Sequence, residues 1–195
     1  MIFKSVKVWI TFAALAVSLS GCSDMKLESV AKDSPKFDFV EFFLGHTRAS
    51  GWFSDRFGKP RRHFCGDFQG TIDGDTFVLT EKLFYSDGVV EDRIWRVKIG
   101  DGGSFIADSD SLLGQAKGRI VGNTLAMEYA MSVKIQEGKQ WELDMKDYMM
   151  LQPDGSLHNI TQVYKWGVRI GSVSTQYQHH DGNASCSVAR GEVSS

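Results

Sequence analysis

The sequence predicts an all-β chain, folded as an antiparallel up-and-down β-barrel with a short N-terminal helix or turn. Three observations predict it: turn signals recur at hairpin spacing, the segments between them alternate apolar and polar residues, and no stretch after Gly45 has a helical period. The turn signals are Gly58-Lys59-Pro60, Asp73-Gly74-Asp75, Ser86-Asp87-Gly88, Gly100-Asp101-Gly102-Gly103, Gly122-Asn123, Glu137-Gly138-Lys139 and Pro153-Asp154-Gly155. Gly, Asn and Asp tolerate the positive φ that tight hairpin turns require. Segments of roughly 10 to 16 residues lie between them, rich in Val, Ile, Phe, Tyr, Trp and Thr, as in a meander.

From the N-terminus, Met1 to Lys7 is basic, carrying Lys4 and Lys7. Val8 to Leu19 is apolar apart from Thr11 and Ser18, and Leu19-Ser20-Gly21-Cys22 follows. A short basic region, an apolar core and small residues at a cleavage point make a secretory signal. The apolar run is about a dozen residues, against the roughly 20 that a membrane-spanning helix needs. Its ending resembles the lipobox of bacterial lipoproteins. That resemblance implies cleavage before Cys22, a diacylglycerol on the Cys22 thiol and an acyl group on the new amine. Residues 1–21 are then a signal peptide and residues 22–36 a lipidated, polar tether. Several acyl chains, each adding about 0.8 kcal/mol per buried CH₂, make a stable membrane anchor. In such lipoproteins Asp directly after the Cys tends to mean inner-membrane retention. Here Ser23 precedes Asp24, so the periplasmic face of the outer membrane is the expected address.

Loss of residues 1–21 removes Lys4 and Lys7, leaving 20 basic against 24 acidic residues, a formal charge of −4. A mildly acidic domain argues against nucleic acid as a partner. The remaining length suits one domain with a sizeable core.

Residues 37–180 form the predicted barrel and 181–195 a flexible C-terminal tail. Phe37 to Leu44 is aromatic-rich, as expected of a short helix or turn that plugs the domain. About ten strands follow between His46 and His180, and closure into a barrel would remove their sticky edges. Along Thr124 to Gln136, Leu125, Met127, Tyr129, Met131, Val133 and Ile135 share one face. Along Gln140 to Gln152, Trp141, Leu143, Met145, Met149 and Leu151 share a face with Asp147. Along Val89 to Ile99, Val89, Trp95, Val97 and Ile99 share a face with Glu91 and Arg93. Along Asp75 to Tyr85, Phe77, Leu79, Leu83 and Tyr85 share a face with Glu81.

A barrel of this size is filled by side chains or holds a ligand, according to the bulk of its inward residues. Leu112, Gly114, Ala116, Gly118 and Ile120 alternate along one segment. If they face inward, the three small ones leave space. Gly66 and Gly70 do the same between Phe64, Phe68 and Ile72. Met127, Met131, Met145 and Met149 supply flexible apolar lining. These residues, with Trp95, Tyr129 and Trp141, suggest a cavity for an acyl chain. The alternative is a filled core, in which the glycines relieve strand bends.

Glu81, Arg93 and Asp147 fall on apolar faces, and Asp55 lies beside Phe53 and Phe57. An unpaired charge inside a barrel is costly, so partners are expected. Asp147 and Glu81 are the leading partners for Arg93. An inward Arg93 could instead hold a ligand carboxylate or phosphate. Arg56, Lys59, Arg61, Arg62 and His63 cluster around one turn, either as a solvated hairpin end or as a contact for anionic lipid head groups. Cys65 and Cys186 would be bonded in an oxidising compartment, tying the tail to an early strand, or would stay unpaired. No catalytic motif, cofactor motif or metal-ligand spacing is present. His179 and His180 are adjacent and so point to opposite faces of a strand.

The run Phe37-Asp38-Phe39, Phe42-Phe43-Leu44-Gly45, then Ala49-Ser50-Gly51-Trp52-Phe53-Ser54-Asp55-Arg56-Phe57-Gly58, resembles the opening of a family of short proteobacterial lipoproteins. Further similar stretches are Tyr85-Ser86-Asp87-Gly88, Arg93-Ile94-Trp95, Ala116-Lys117-Gly118 with Gly122-Asn123, Asp147-Tyr148-Met149, Leu157-His158-Asn159 and Lys165-Trp166-Gly167. The family is a domain of unknown function, family 3833. Where its pattern has two adjacent acids before an aromatic, this chain has Lys146 and then Asp147-Tyr148. The resemblance implies a lipoprotein with a lipocalin-like barrel, encoded near enzymes that modify fatty acyl chains. The expected function is a membrane-anchored lipoprotein, not an enzyme, that binds or carries a fatty acid or phospholipid. The rival expectation is a packed barrel presented to an envelope partner without a ligand.

Overall fold

The structure is a computed structural model that describes residues 26–135, 139–180 and 186. The predicted signal peptide, Cys22 and the start of the tether lie outside the described residues, as does the predicted tail apart from Cys186.

Ten strands follow one short helix. They are β1 (Gly45–Asp55), β2 (Pro60–Asp73), β3 (Thr76–Tyr85), β4 (Val90–Ile99), β5 (Ser104–Ser109), β6 (Ala116–Val121), β7 (Thr124–Lys134), β8 (Gln140–Leu151), β9 (Leu157–Lys165) and β10 (Val168–His179). Each pairs antiparallel with its neighbour in sequence, and β10 pairs with β1, so the barrel is closed. The all-β, up-and-down expectation holds. Closure gives every strand a partner on each side, with β4 meeting the short β5 only along Trp95 to Ile99, so no strand is left as a free edge for edge-to-edge association.

Up-and-down topology sends alternate turns to opposite ends. At one end lie the turns β2–β3, β4–β5, β6–β7 and β8–β9, together with the helix. At the other lie β1–β2, β3–β4, β5–β6, β7–β8 and β9–β10.

The helix α1 (Phe39–Phe43) closes the first end. Asp38 caps it by accepting from the Glu41 N–H at 2.9 Å, which satisfies an otherwise orphaned donor. Phe39, Phe42 and Phe43 are buried. Phe39 packs edge-on against Phe77 and Phe105, with centroids at 5.8 and 5.2 Å, and Phe43 against Tyr177 at 5.5 Å. Gly70 lets the helix end pass close, because a Cβ there would collide with the Phe43 carbonyl. The predicted plug is thus an aromatic stopper.

Two terminal segments are less free than the sequence suggests. Leu27–Val30 forms a 3-10 turn against the β6–β7 hairpin. The Val30 carbonyl packs where a Gly122 side chain would be, and Glu28 lies 3.9 Å from Arg119. This part of the predicted tether is held because Gly122 offers a bare backbone at φ +59°. In the predicted tail, Cys186 is buried and bonded to Cys65 across 121 residues, with Cα atoms 5.8 Å apart. Its N–H donates to Asp67 at 2.8 Å. The cross-link fastens the C-terminal segment to the outer side of β2.

Candidate functional site: an interior cavity

The strands enclose a cavity of about 260 Å³. Its closed-end floor is Phe39 and Phe43, and its mouth is at the opposite end, where Ile135, Trp141 and Ile170 line it. Trp141 is 39% exposed and so reaches both cavity and solvent.

Of the residues expected to line a cavity, Arg93, Trp95, Met127, Tyr129, Met131, Trp141, Met145, Asp147 and Met149 do so. Alternation of large apolar side chains identifies them. Gly114, Ala116 and Gly118 do not line it, which corrects the expectation. β6 begins only at Ala116, and Gly114 sits in the preceding turn at φ +113° with open space around it. A Cβ on Gly118 would lie 2.6 Å from the Met127 Cβ. Ala116 is fully buried. Gly118 lets β6 and β7 approach, Ala116 is packed in the core, and Gly114 lies in a turn, so none of the three opens space inside the barrel. Gly66 behaves alike, since a Cβ there would meet Leu83 and Phe68 at 2.7 Å.

The interior charges sort onto two walls. On the β3–β4 wall, Arg93 forms an ion pair with Glu91, lies 4.0 Å from Glu81 and donates to the Tyr85 hydroxyl at 3.2 Å. Glu91 also accepts from the Lys134 N–H at 3.3 Å. On the facing wall Asp147 accepts from Asn159, from the Tyr129 hydroxyl at 3.0 Å and from Thr161 at 3.1 Å. Of the two partners expected for Arg93, Glu81 lies within ion-pair distance across the β3–β4 ladder, and Asp147 is corrected. Asp147 is satisfied by its own wall, and Arg93 takes the carboxylate two residues away on its own strand. Glu91 alternates with Arg93 on one face, so period-2 spacing carried the signal. Asn159 and Thr161 were missed, although they too alternate inward along β9.

Asp55 is not an interior charge. It ends β1, accepts from the Phe57 and Lys59 N–H groups and pairs with Arg61 at 2.7 Å. These contacts organise the β1–β2 turn. The basic cluster divides. Arg56, Lys59, Arg61 and His63 are exposed, whereas Arg62 turns to the mouth, 3.6 Å over the Tyr85 ring and 2.8 Å from Asp87.

Burial dominates the titration of the interior acids, because a charge loses water there. It pushes Glu81 up to about 7, against the lowering pull of Arg93 and the nearby Trp95 indole. It pushes Asp147 up to about 6, against the hydrogen bonds from Asn159, Tyr129 and Thr161. Burial would lower Arg93, but Tyr85, Glu81 and Glu91 raise it, so the guanidinium stays charged. Burial, reinforced by Asp147, holds the Tyr129 hydroxyl well above its ordinary range. Arg93 is matched by Glu91, and burial keeps the proton on Glu81, and less strongly on Asp147, to higher pH than usual. Among the described residues no three His, Cys, Asp or Glu side chains converge on a metal position.

A family model described as "Protein of unknown function (DUF3833)" matches residues 16–179. The chain belongs to this family. The resemblance drawn from Phe37-Asp38-Phe39 onward thus holds for nearly the whole barrel. This DUF3833 barrel is similar to the solved structure of a protein of unknown function from the DUF3598 family of Nostoc punctiforme. The two share 11% identity at a TM-score of 0.52, over 76% of this chain and 51% of that one. The DUF3833 chain therefore spans about half the length of that protein, and the likeness is one of fold alone. None of the curated proteins compared with it matches.

Proposed function

We propose that this DUF3833 chain is a lipoprotein of the cell envelope, anchored through Cys22, whose barrel binds or carries an apolar ligand. The ligand class is a fatty acid or phospholipid, and no reaction is catalysed. One observation supports the binding reading above the others: an apolar cavity of about 260 Å³ whose interior charges already have partners. A ligand therefore meets mainly Phe, Met, Leu and Val side chains. The volume sits just under the roughly 300 to 1,000 Å³ usual for small-molecule pockets. It suits one acyl chain, with any polar head near the mouth, better than a whole phospholipid. The methionines can adjust to chain length and shape. The anchor rests on the resemblance of Leu19-Ser20-Gly21-Cys22 to a lipobox, and Ser23 favours the periplasmic face of the outer membrane.

Native mass spectrometry of residues 23–195, made in the periplasm and never exposed to detergent, tests the binding reading. A stoichiometric co-purifying acyl lipid is expected. A clean apo mass that stays apo after incubation with envelope lipids would overturn it and favour a barrel presented to a protein partner. Labelling the full chain with a clickable palmitate analogue tests the anchor. Signal that survives Cys22→Ser would refute it.

A further inference from the structure

The two ends of the barrel differ in charge as well as in packing. The closed-end turns carry Asp73, Asp75, Asp101 and Asp154. The open-end turns carry Arg56, Lys59, Lys165 and Arg169 against Asp110 and Asp87, the latter paired with Arg62. Apolar residues also stand out at the open end. Trp166 is 90% exposed and Phe57 81%, each at the tip of its turn. Both tips adjoin, because β1 pairs with β10 and so sets the β1–β2 turn beside the β9–β10 turn. Basic side chains flank them: Lys165 lies 4.8 Å from the Trp166 ring centre, and the Arg56 guanidinium 4.8 Å from that of Phe57. Exposing two large aromatic side chains to water has no folding benefit, so their placement calls for an apolar partner.

We infer that the open end of the barrel docks on an anionic lipid bilayer. Trp and Phe enter the interfacial layer, where one side of the ring is apolar and the other wet. The surrounding Lys and Arg meet lipid phosphates, to which anionic head groups add charge. Docking itself stands on exposure and charge. It rests on the proposed function only in making this mouth the door through which an acyl chain enters.

Vesicle co-sedimentation of residues 23–195 tests the inference. This segment contains the whole barrel, the plug and the disulfide, and every strand in it has a neighbour on each side. Vesicles of phosphatidylcholine alone are compared with equimolar phosphatidylcholine and phosphatidylglycerol. Strong preference for the anionic vesicles is expected, weakening with salt. Each basic residue near such a surface contributes roughly fivefold. The double variant Arg56→Glu with Lys59→Glu should therefore lower partitioning by more than about tenfold. Phe57→Ser with Trp166→Ser should lower it severalfold, and unchanged thermal midpoints would show that the fold survives. A closed-end control, Asp73→Lys with Asp101→Lys, raises the net charge without touching the mouth and should leave partitioning unchanged.

Failure of the wild-type chain to sediment with anionic vesicles would overturn the inference. So would an increase in the closed-end control matching the rim's loss, which would mean binding by net charge alone. Wild-type binding unaffected by either rim variant would also overturn it. Rim-dependent cross-linking to an envelope protein, with no vesicle binding, would replace the bilayer by a protein partner. Rim-dependent vesicle binding by a chain that holds no lipid would uphold docking while the cavity reading falls.

Discussion

The closed and open ends of the barrel are made from the same alternating pattern, yet they pack differently. At the closed end rings meet rings: Phe37, Phe39, Phe42 and Phe43 join Phe77, Phe105 and Tyr177 in one buried cluster. Toward the open end the cluster is Met131, Leu143, Met145 and Val163, backed by half-buried Phe53, Val133 and Val173. Aromatic pairs have preferred geometries and lock one arrangement. Methionine and aliphatic chains adapt. Period-2 patterning decides which residues face inward, and the choice of side chain decides whether that interior is a stopper or a receptacle.

Truncation should separate the two ends most strongly. Phe43→Ala is expected to cost about 4 kcal/mol in urea unfolding, the usual range for a filled aromatic site. Met145→Ala, beside space that already exists, should cost about 2 kcal/mol. Equal losses would erase the distinction between ends.

Next in size is a pH effect from the middle of the barrel. Glu81 is raised in the folded state from an ordinary 4.5 to about 7. The folded protein thus binds this proton more tightly than the unfolded chain. Its contribution is present in full below about pH 4.5 and is lost as pH rises through about 7. Asp147 adds in the same direction over a lower window, from 3.8 to about 6. Between pH 5 and pH 8 the wild type should lose up to about 3 kcal/mol relative to Glu81→Gln. Parallel stability profiles for the two would refute the raised Glu81.

A tight approach is tested by Gly70→Ala, where a methyl meets the Phe43 carbonyl. A loss of about 2 kcal/mol is expected, because backbone rather than a flexible side chain must give way. The matching open-end change, Phe57→Ser, should shift stability by less than about 0.5 kcal/mol, since the ring is in solvent. A large loss there would show that Phe57 packs on its own protein.

Much of this was legible in the sequence. The face Leu125, Met127, Tyr129, Met131 and Val133 fixed β7 inward, and the turn residues fixed its hairpins. Phe37 to Leu44 announced a plug by its aromatic density. Inwardness of Glu81, Arg93 and Asp147 could be read from alternation, and so could Glu81 and Glu91 as partners of Arg93, but the groups that hold Asp147 could not. Partner choice depends on how strands align around the closed barrel, which a single chain order does not encode. Glycine was the least legible residue. In Gly118 and Gly70 the same missing side chain that suggested a void marks a close approach, and only the neighbouring strand or helix end distinguishes the two. Gly114 broke its strand altogether. The disulfide stayed open because nothing in the spacing of Cys65 and Cys186 says that the chain's end returns to β2.

The chain enters at the closed end, where Leu27–Val30 lies on the β6–β7 hairpin. Three residues separate Lys26 from Cys22, four Cα steps that span roughly 14 Å at full extension. The mouth lies a barrel's height away, about 28 Å for an eleven-residue strand at the usual tilt. A lipid on Cys22 would moor the molecule by its stopper and leave the mouth pointing outward. The barrel would then stand like a short pier, rooted in one surface and meeting its cargo at another.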